Sequence, residues 1–352
     1  MEQTNRLGTQ GVGKLLIKLS IPAVTAQLVN MLYNIVDRIY IGNMDGIGNA
    51  ALTGVGVTFP VLMFISAFAA LIGMGGAPRA SIKLGEGNAD EAERIMGNCM
   101  AALLALAVAL TALFLALGEP LLYLFGASSD TIDYALVYMN IYVCGNVFVL
   151  SALGMNSFIS AQGFARTGML TVLIGAVVNI VLDPIFIYLF NWGVAGAAVA
   201  TVISQAVSAV WALLFLSGKK TTLRLKKKYL RINFKVLWPV LALGVSPFVM
   251  NATESLISIC FNSSLQKYGG DDAVGAMTIL VSIMQLLSLP LAGLSQGAQP
   301  ITSYNYGCGK MDRVKKSFYL LFIASMAYSL IFWLLNMLFP SCWWACSAKT
   351  EA

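Results

Sequence analysis

The sequence has no histidine in 352 residues. That removes the commonest general base at neutral pH and the commonest metal-binding side chain, leaving histidine-dependent hydrolysis and zinc-type centres few candidates. Charge is scarce as well: 11% of residues are Asp, Glu, Lys or Arg, where a soluble chain carries about 25%. The six cysteines, Cys99, Cys144, Cys260, Cys308, Cys342 and Cys346, follow neither a disulfide framework nor a zinc-ligand spacing. A G-x4-G-K pattern ends at Lys14, but Leu15 stands where Ser or Thr would hold a metal-phosphate, and no strand precedes it.

Apolar residues fill the place of the missing charge, at 58% of the chain, with mean hydropathy +0.78. Nine runs, near 15–41, 50–77, 95–117, 134–158, 168–190, 194–217, 236–264, 273–300 and 317–339, approach or exceed the roughly 20 residues a crossing helix needs. Only helices and closed barrels satisfy their backbone in lipid, and these runs are too long and too evenly apolar for barrel strands. The expectation is an all-α polytopic membrane protein of about nine transmembrane helices.

All of the 22 basic residues except Arg38, Lys267 and Lys349 fall on one side of that topology, which predicts a cytoplasmic N-terminus in a cell membrane. The basic stretch from Lys219 through Lys235 reads as a juxtamembrane contact with anionic lipid, with no nucleic acid expected. No cleavable signal is recognisable.

The chain repeats itself. LSIP (19–22), GMGGAP (73–78) and KLGEGNADEAER (83–94) have counterparts in GVSP (244–247), GLSQGAQP (293–300) and NYGCGKMDRVKK (305–316). Pro22 matches Pro247, and Pro78, Gly85, Gly87 and Asp90 match Pro300, Gly307, Gly309 and Asp312. A unit of six helices returns the chain to its starting side, so both copies share an orientation, an arrangement known in secondary transporters. The expected organisation is an N-terminal six-helix lobe (1–218), a basic cytoplasmic linker (219–235), a partial C-terminal lobe of three helices (236–340) and an atypical tail (341–352). The tail SCWWACSAKTEA reads as the mark of a truncated or frame-shifted product.

Polar residues inside the apolar runs carry the functional signal. Asp183 lies in GAVVNIVLDPIFIYLF, one turn after Asn179 and directly before Pro184. An ionised carboxylate near a bilayer centre costs on the order of 3 kcal/mol even on lenient scales. Asn30, Tyr33 or Asn34, and Asp37 recur at helical spacing and stack on one face of the first long helix. Two carboxylates supported by amide oxygens suit a monovalent cation such as Na+, or a shared proton held because two bare charges away from water are costly. Asp37 also fits a solvated cap near its helix end. Glu254, in NATESLIS, reads as a third buried carboxylate, facing a cavity or pairing with Asn251 and Ser255.

The stretches LSIPAVTAQLVNMLYNIVDRIYIG (19–42), SFISAQGFARTGML (157–170) and NIVLDPIFIYLFNWGVAGAAVATVISQ (179–205) resemble the MATE (multidrug and toxic compound extrusion) family of secondary transporters. The resemblance runs from about residue 10 to 339. It implies two six-helix lobes around a cleft and export of small lipophilic cations against inward Na+ or H+, with no cofactor. By the same resemblance Asp37 and Asp183 are the cation-linked carboxylates, and Asn179 and Thr201 their oxygen-bearing neighbours. Asn30, Tyr33, Asn34 and Asn156 would line the substrate cavity, and Glu254 matches an acidic residue that part of the family uses for coupling. The expected partners are the substrate and the lipid bilayer, and the expected state is a monomer without enzymatic activity. Two other readings stay open: a flippase for lipid-linked oligosaccharide or an exporter of polysaccharide, for which a cationic cavity would be expected, and a fragment that does not transport. An intramembrane aspartyl protease would want a GxGD-type context, which neither Asp37 nor Asp183 has.

Overall fold

The computed structural model describes residues 2–44 and 46–338, and every regular element among them is helical. The expected tail 341–352, with Cys342 and Cys346, lies outside the described residues. The helices are α1 (Glu2–Thr9), α2 (Val12–Gly42), α3 (Gly48–Gly85), α4 (Ala89–Leu124), α5 (Ile132–Cys144), α6 (Asn146–Ala161), α7 (Ala165–Pro184), α8 (Gly193–Ser217), α9 (Phe234–Gly307) and α10 (Met311–Leu338). Among the described residues, seven helical stretches are long and apolar enough to cross a membrane, or eight if α5 and α6 together form one span.

Local chemistry explains the boundaries. Asn88 caps α4, its side chain accepting the Glu91 N–H at 3.1 Å, and Asp90 and Glu91 complement the positive end of the helix dipole. Gly145 breaks the run 134–158, and α5 meets α6 at 57°. The break frees backbone groups in a medium with no water to take them, and α4 supplies a partner: the Thr111 hydroxyl donates to the Val143 carbonyl at 2.8 Å.

The runs expected as two separate helices at 236–264 and 273–300 form one continuous helical stretch, α9, of 74 residues. Straight, it would extend about 110 Å. Its two ends nevertheless return to the same helix: Gly75 of α3 presses on Val240 and Gly244, while Gly85 presses on Tyr304 and Cys308. Ten residues of α3 span about 15 Å, so α9 doubles back. The segment GGDDAV (269–274) between those runs is helical in its backbone; most side chains between 255 and 283 lie outside those described.

Contacts between the two copies of the repeat come in matched pairs. Gly85 abuts the Tyr304 carbonyl and Gly307 abuts the Ile82 carbonyl; Gly75 abuts Val240 and its counterpart Gly297 abuts Ser20. The first pair exchanges one copy's residues for the other's, Ile82 and Tyr304 being counterparts like Gly85 and Gly307, the signature of a self-complementary two-fold contact; the second sets the counterparts Gly75 and Gly297 against the first long helical segment of the opposite copy. A Cβ at these glycines would overlap backbone or near-backbone atoms, so the close approach requires glycine.

The segments leading into each copy follow the same rule. At the basic end of the bundle, α1 docks on the α9–α10 turn of the second copy. Asn305 donates to the Leu7 carbonyl at 3.0 Å, Arg313 to the Leu7 and Gln10 carbonyls at 3.1 and 2.6 Å, and Lys310 to the Gly8 carbonyl at 3.0 Å. The linker between copies docks on α4 of the first. Buried Glu93 accepts the Arg224 N–H at 3.1 Å and pairs with Lys226, Asp90 accepts from Tyr229, and Asn98 accepts the Asn233 N–H at 2.8 Å. One clamp uses cationic side chains on helix-end carbonyls and the other uses carboxylates on a basic strand of chain.

Candidate functional site

Helix α2 brings Asp37 to the side of α7 that carries Asn179 and Asp183. Asp183 and Asn179 are essentially inaccessible, and Asp37 is only 9% exposed, so the solvated-cap reading of Asp37 does not hold in this fold. The carboxyl groups of Asp37 and Asp183 are close enough to act on each other electrostatically. Asn179 donates to Asp183 Oδ1 at 3.0 Å and approaches the Thr201 hydroxyl of α8 at 3.5 Å. Three helices thus contribute to one oxygen-rich cluster.

The cluster is incompletely satisfied by protein atoms. Asp37 Oδ1, Asp183 Oδ2 and Asn179 Oδ1 are buried without a hydrogen-bond partner in the structure. A buried polar oxygen left unpaired costs about 1–3 kcal/mol, more when charged. Such oxygens on two facing carboxylates and an amide form a donor set that a proton or a hard monovalent cation would complete. Pro184 adds to this, because it cannot donate to the Ile180 carbonyl one turn back. The chain then runs through a π-helical turn, Ile185–Leu189, and a left-handed Asn191 (φ 55°) before α8 begins.

Of the other expected residues, Tyr33 lies beside both carboxylates. Asn30 is half-buried on the same helix, while Asn34 is exposed and turns its amide onto the Asn30 carbonyl at 2.6 Å. Asn156 sits on α6 against Gly168, at the opposite end of α7 from Asp183 and about 20 Å along the helix from it. Its Oδ1 is buried and unpaired there. Glu254, expected to be buried, is exposed. Phe248 packs on the α3 rings Phe64 and Phe68, while the described side chains from Val249 to Glu254 are at most half-buried.

Sequence reasoning missed Tyr138. This buried tyrosine of α5 reaches the Thr201 side chain and stands next to Asp37, with Tyr142 one turn further on. The visible signal was the i, i+4 tyrosine pair in an apolar run, which without the bend at Gly145 has no evident direction.

A bundle of membrane-length apolar helices wrapped around a buried acid pair is the architecture of a multi-pass membrane transport protein. The MatE family pattern matches residues 22–185 and 247–352, and the chain belongs to that family. It is 25% identical over 309 residues to "Multidrug export protein MepA" of Staphylococcus haemolyticus, covering 88% of this chain and 68% of that protein. Its fold is similar to a structure described as the outward-facing conformation of a multidrug resistance MATE family transporter of the MOP superfamily, with TM-score 0.87 and 26% identity over 95% of this chain and 74% of that one. It is also similar, with TM-score 0.89 and 26% identity over 97% and 75% of the two chains, to a MOP superfamily transporter from Pyrococcus furiosus whose description proposes a different function from the reversed polarity of its binding pocket.

Proposed function

We propose that this chain belongs to a secondary active exporter of small lipophilic cations, driven by Na+ or H+ entering at the Asp37–Asp183 pair. The basic end of the bundle is cytoplasmic on this reading, in line with the positive-inside rule. The observation that carries the proposal is the pair itself: two facing carboxyl groups, buried, with unsatisfied oxygens on both. The kinship with proteins described as multidrug exporters supports export of small molecules, and their lipophilic, cationic character is part of the proposal.

The mechanism follows from electrostatics. When neither a cation nor a proton is present, two neighbouring negative charges repel in a medium that screens them poorly, and α2 and α7 are driven apart. Occupation by the coupling ion removes that repulsion and draws the helices together. A ligand can shift this equilibrium only by binding one arrangement better than the other, and the orphaned oxygens provide that difference. Matched glycine contacts and the two docked leader segments close the basic end, which on this reading faces the cytoplasm.

The test is ethidium exchange in proteoliposomes under an imposed Na+ or proton gradient, comparing the native chain with Asp183→Asn. Gradient-driven exchange by the native chain, lost in the variant while membrane insertion is kept, supports the reading. Equal exchange by both, or none by the native chain, sinks it.

A further inference from the structure

The outer end of α2 ends on an unusual partner. In a regular helix the Met44 N–H would donate to the Tyr40 carbonyl, but here it turns to the Ile41 carbonyl at 3.3 Å, and Asn43 donates to Ile39. Tyr40 thus lies in the last turn of α2, among the carbonyls that the helix itself does not cap. The Tyr188 hydroxyl, from the segment after α7, donates to it at 2.7 Å, and the two rings meet edge to face with centroids 6.3 Å apart.

The position of this bond matters. Tyr40 is one helical turn beyond Asp37, and Tyr188 is five residues beyond Asp183. Between Asp183 and Tyr188 the chain passes through Pro184 and the π-helical turn, where the Phe190 N–H donates to the Ile185 carbonyl at 2.9 Å. A π turn inserts one residue into the helical rotation and re-aims the side chains that follow it, a device common at functional sites. Here the re-aimed side chain is the one that reaches α2.

We propose that Tyr188 is a positioning residue: by capping the Tyr40 carbonyl it fixes the spacing of α2 and α7 so that Asp37 and Asp183 face each other across the ion site. The inference rests on the coupling role given above to that pair. Tyr188 touches neither the ion nor the substrate in this assignment. Without its hydroxyl the two helices keep their apolar packing and lose a polar bond that helps set their register next to the carboxylates. Ion affinity then falls because the site must be organised at the moment of binding.

The experiment measures the concentration of Na+ at constant pH, and of protons at constant Na+, that gives half-maximal thermal stabilisation of the purified chain. The variants are Tyr188→Phe, which keeps the ring contact and removes the donor, Tyr188→Leu, which removes both, and Asp183→Asn. The expected result is a half-maximal concentration of the effective ion raised about fivefold in Tyr188→Phe, the size of one lost hydrogen bond, with ion-free stability close to native. Asp183→Asn should lose the ion response altogether. A Tyr188→Phe response identical to native, beside a dead Asp183→Asn, overturns the positioning role alone. An unchanged Asp183→Asn overturns the coupling reading and this inference with it. If both Tyr188 variants fail to fold, the residue is a structural strut and the assignment is also overturned.

Discussion

Gly85 and Gly307 hold matching places in the two copies of the repeat, and each presses on a carbonyl of the helix that carries the other. Gly85 meets Tyr304 O, and Gly307 meets Ile82 O. Cys308 adds a bond from its thiol to the Gly85 carbonyl at 3.1 Å. The basic end of the bundle is thus closed by backbone-to-backbone contact that only a residue without a side chain permits.

Alanine at either glycine should force this contact open, at a cost of about 1–3 kcal/mol typical of overpacking. Maleimide labelling of Cys308, half-buried in the native chain, is the measurement. Faster labelling in Gly85→Ala and Gly307→Ala is expected, with similar size in both because the contacts are equivalent. Unchanged labelling would show that the helices relax without separating.

The facing carboxylates should behave as a unit. Asp37→Asn and Asp183→Asn are each expected to remove most ion-dependent thermal stabilisation, and the double variant to be no worse than either single one. That is non-additivity of the kind seen when two residues share one ligand. Additive losses would place the two carboxylates in separate sites.

Arg313 holds α1 through two carbonyls and is itself oriented by Asn305 Oδ1 at 2.8 Å. Arg313→Gln should weaken the docking of α1 by about 2 kcal/mol, seen as roughly 30-fold faster amide exchange in residues 2–11. Exchange in α4 should not change, since the other leader segment docks there independently.

Glu93 is buried and anchors the linker through the Arg224 N–H and Lys226. Glu93→Ala leaves that N–H unpaired, worth about 1–3 kcal/mol, and should make the linker open more often. Trypsin cleavage after Lys226 and Lys227 is expected to accelerate about tenfold or more. Cleavage at the native rate would mean that Gln162, which accepts from Thr221, Thr222 and Leu223, suffices to hold the segment.

Some of the site was legible in the chain because its signal is local. Asn179 and Asp183 are one turn apart and bond directly, and any helix through that run puts them together. Asp37 was ambiguous, since a residue near a helix end is wet or buried according to what packs beside it. Asn156 was carried over by resemblance and Glu254 was read as a buried carboxylate from its apolar run; the structure sets the first at the far end of α7 and leaves the second exposed. Tyr138 and Tyr188 were not legible as site residues. Their direction depends on a bend at Gly145 and on a π-helical turn, and neither changes the hydropathy of the run that contains it.

The sequence by itself determined that this is a helical membrane protein with an internal repeat and acidic residues where lipid penalises them, because hydropathy, spacing and desolvation act along a single helix. Tertiary structure alone decided that Asp37 meets Asp183, that α9 turns back on α3, and that each copy's leader docks on the other copy. Those outcomes depend on which helices become neighbours, and packing between segments far apart in the chain leaves no periodic trace in either one.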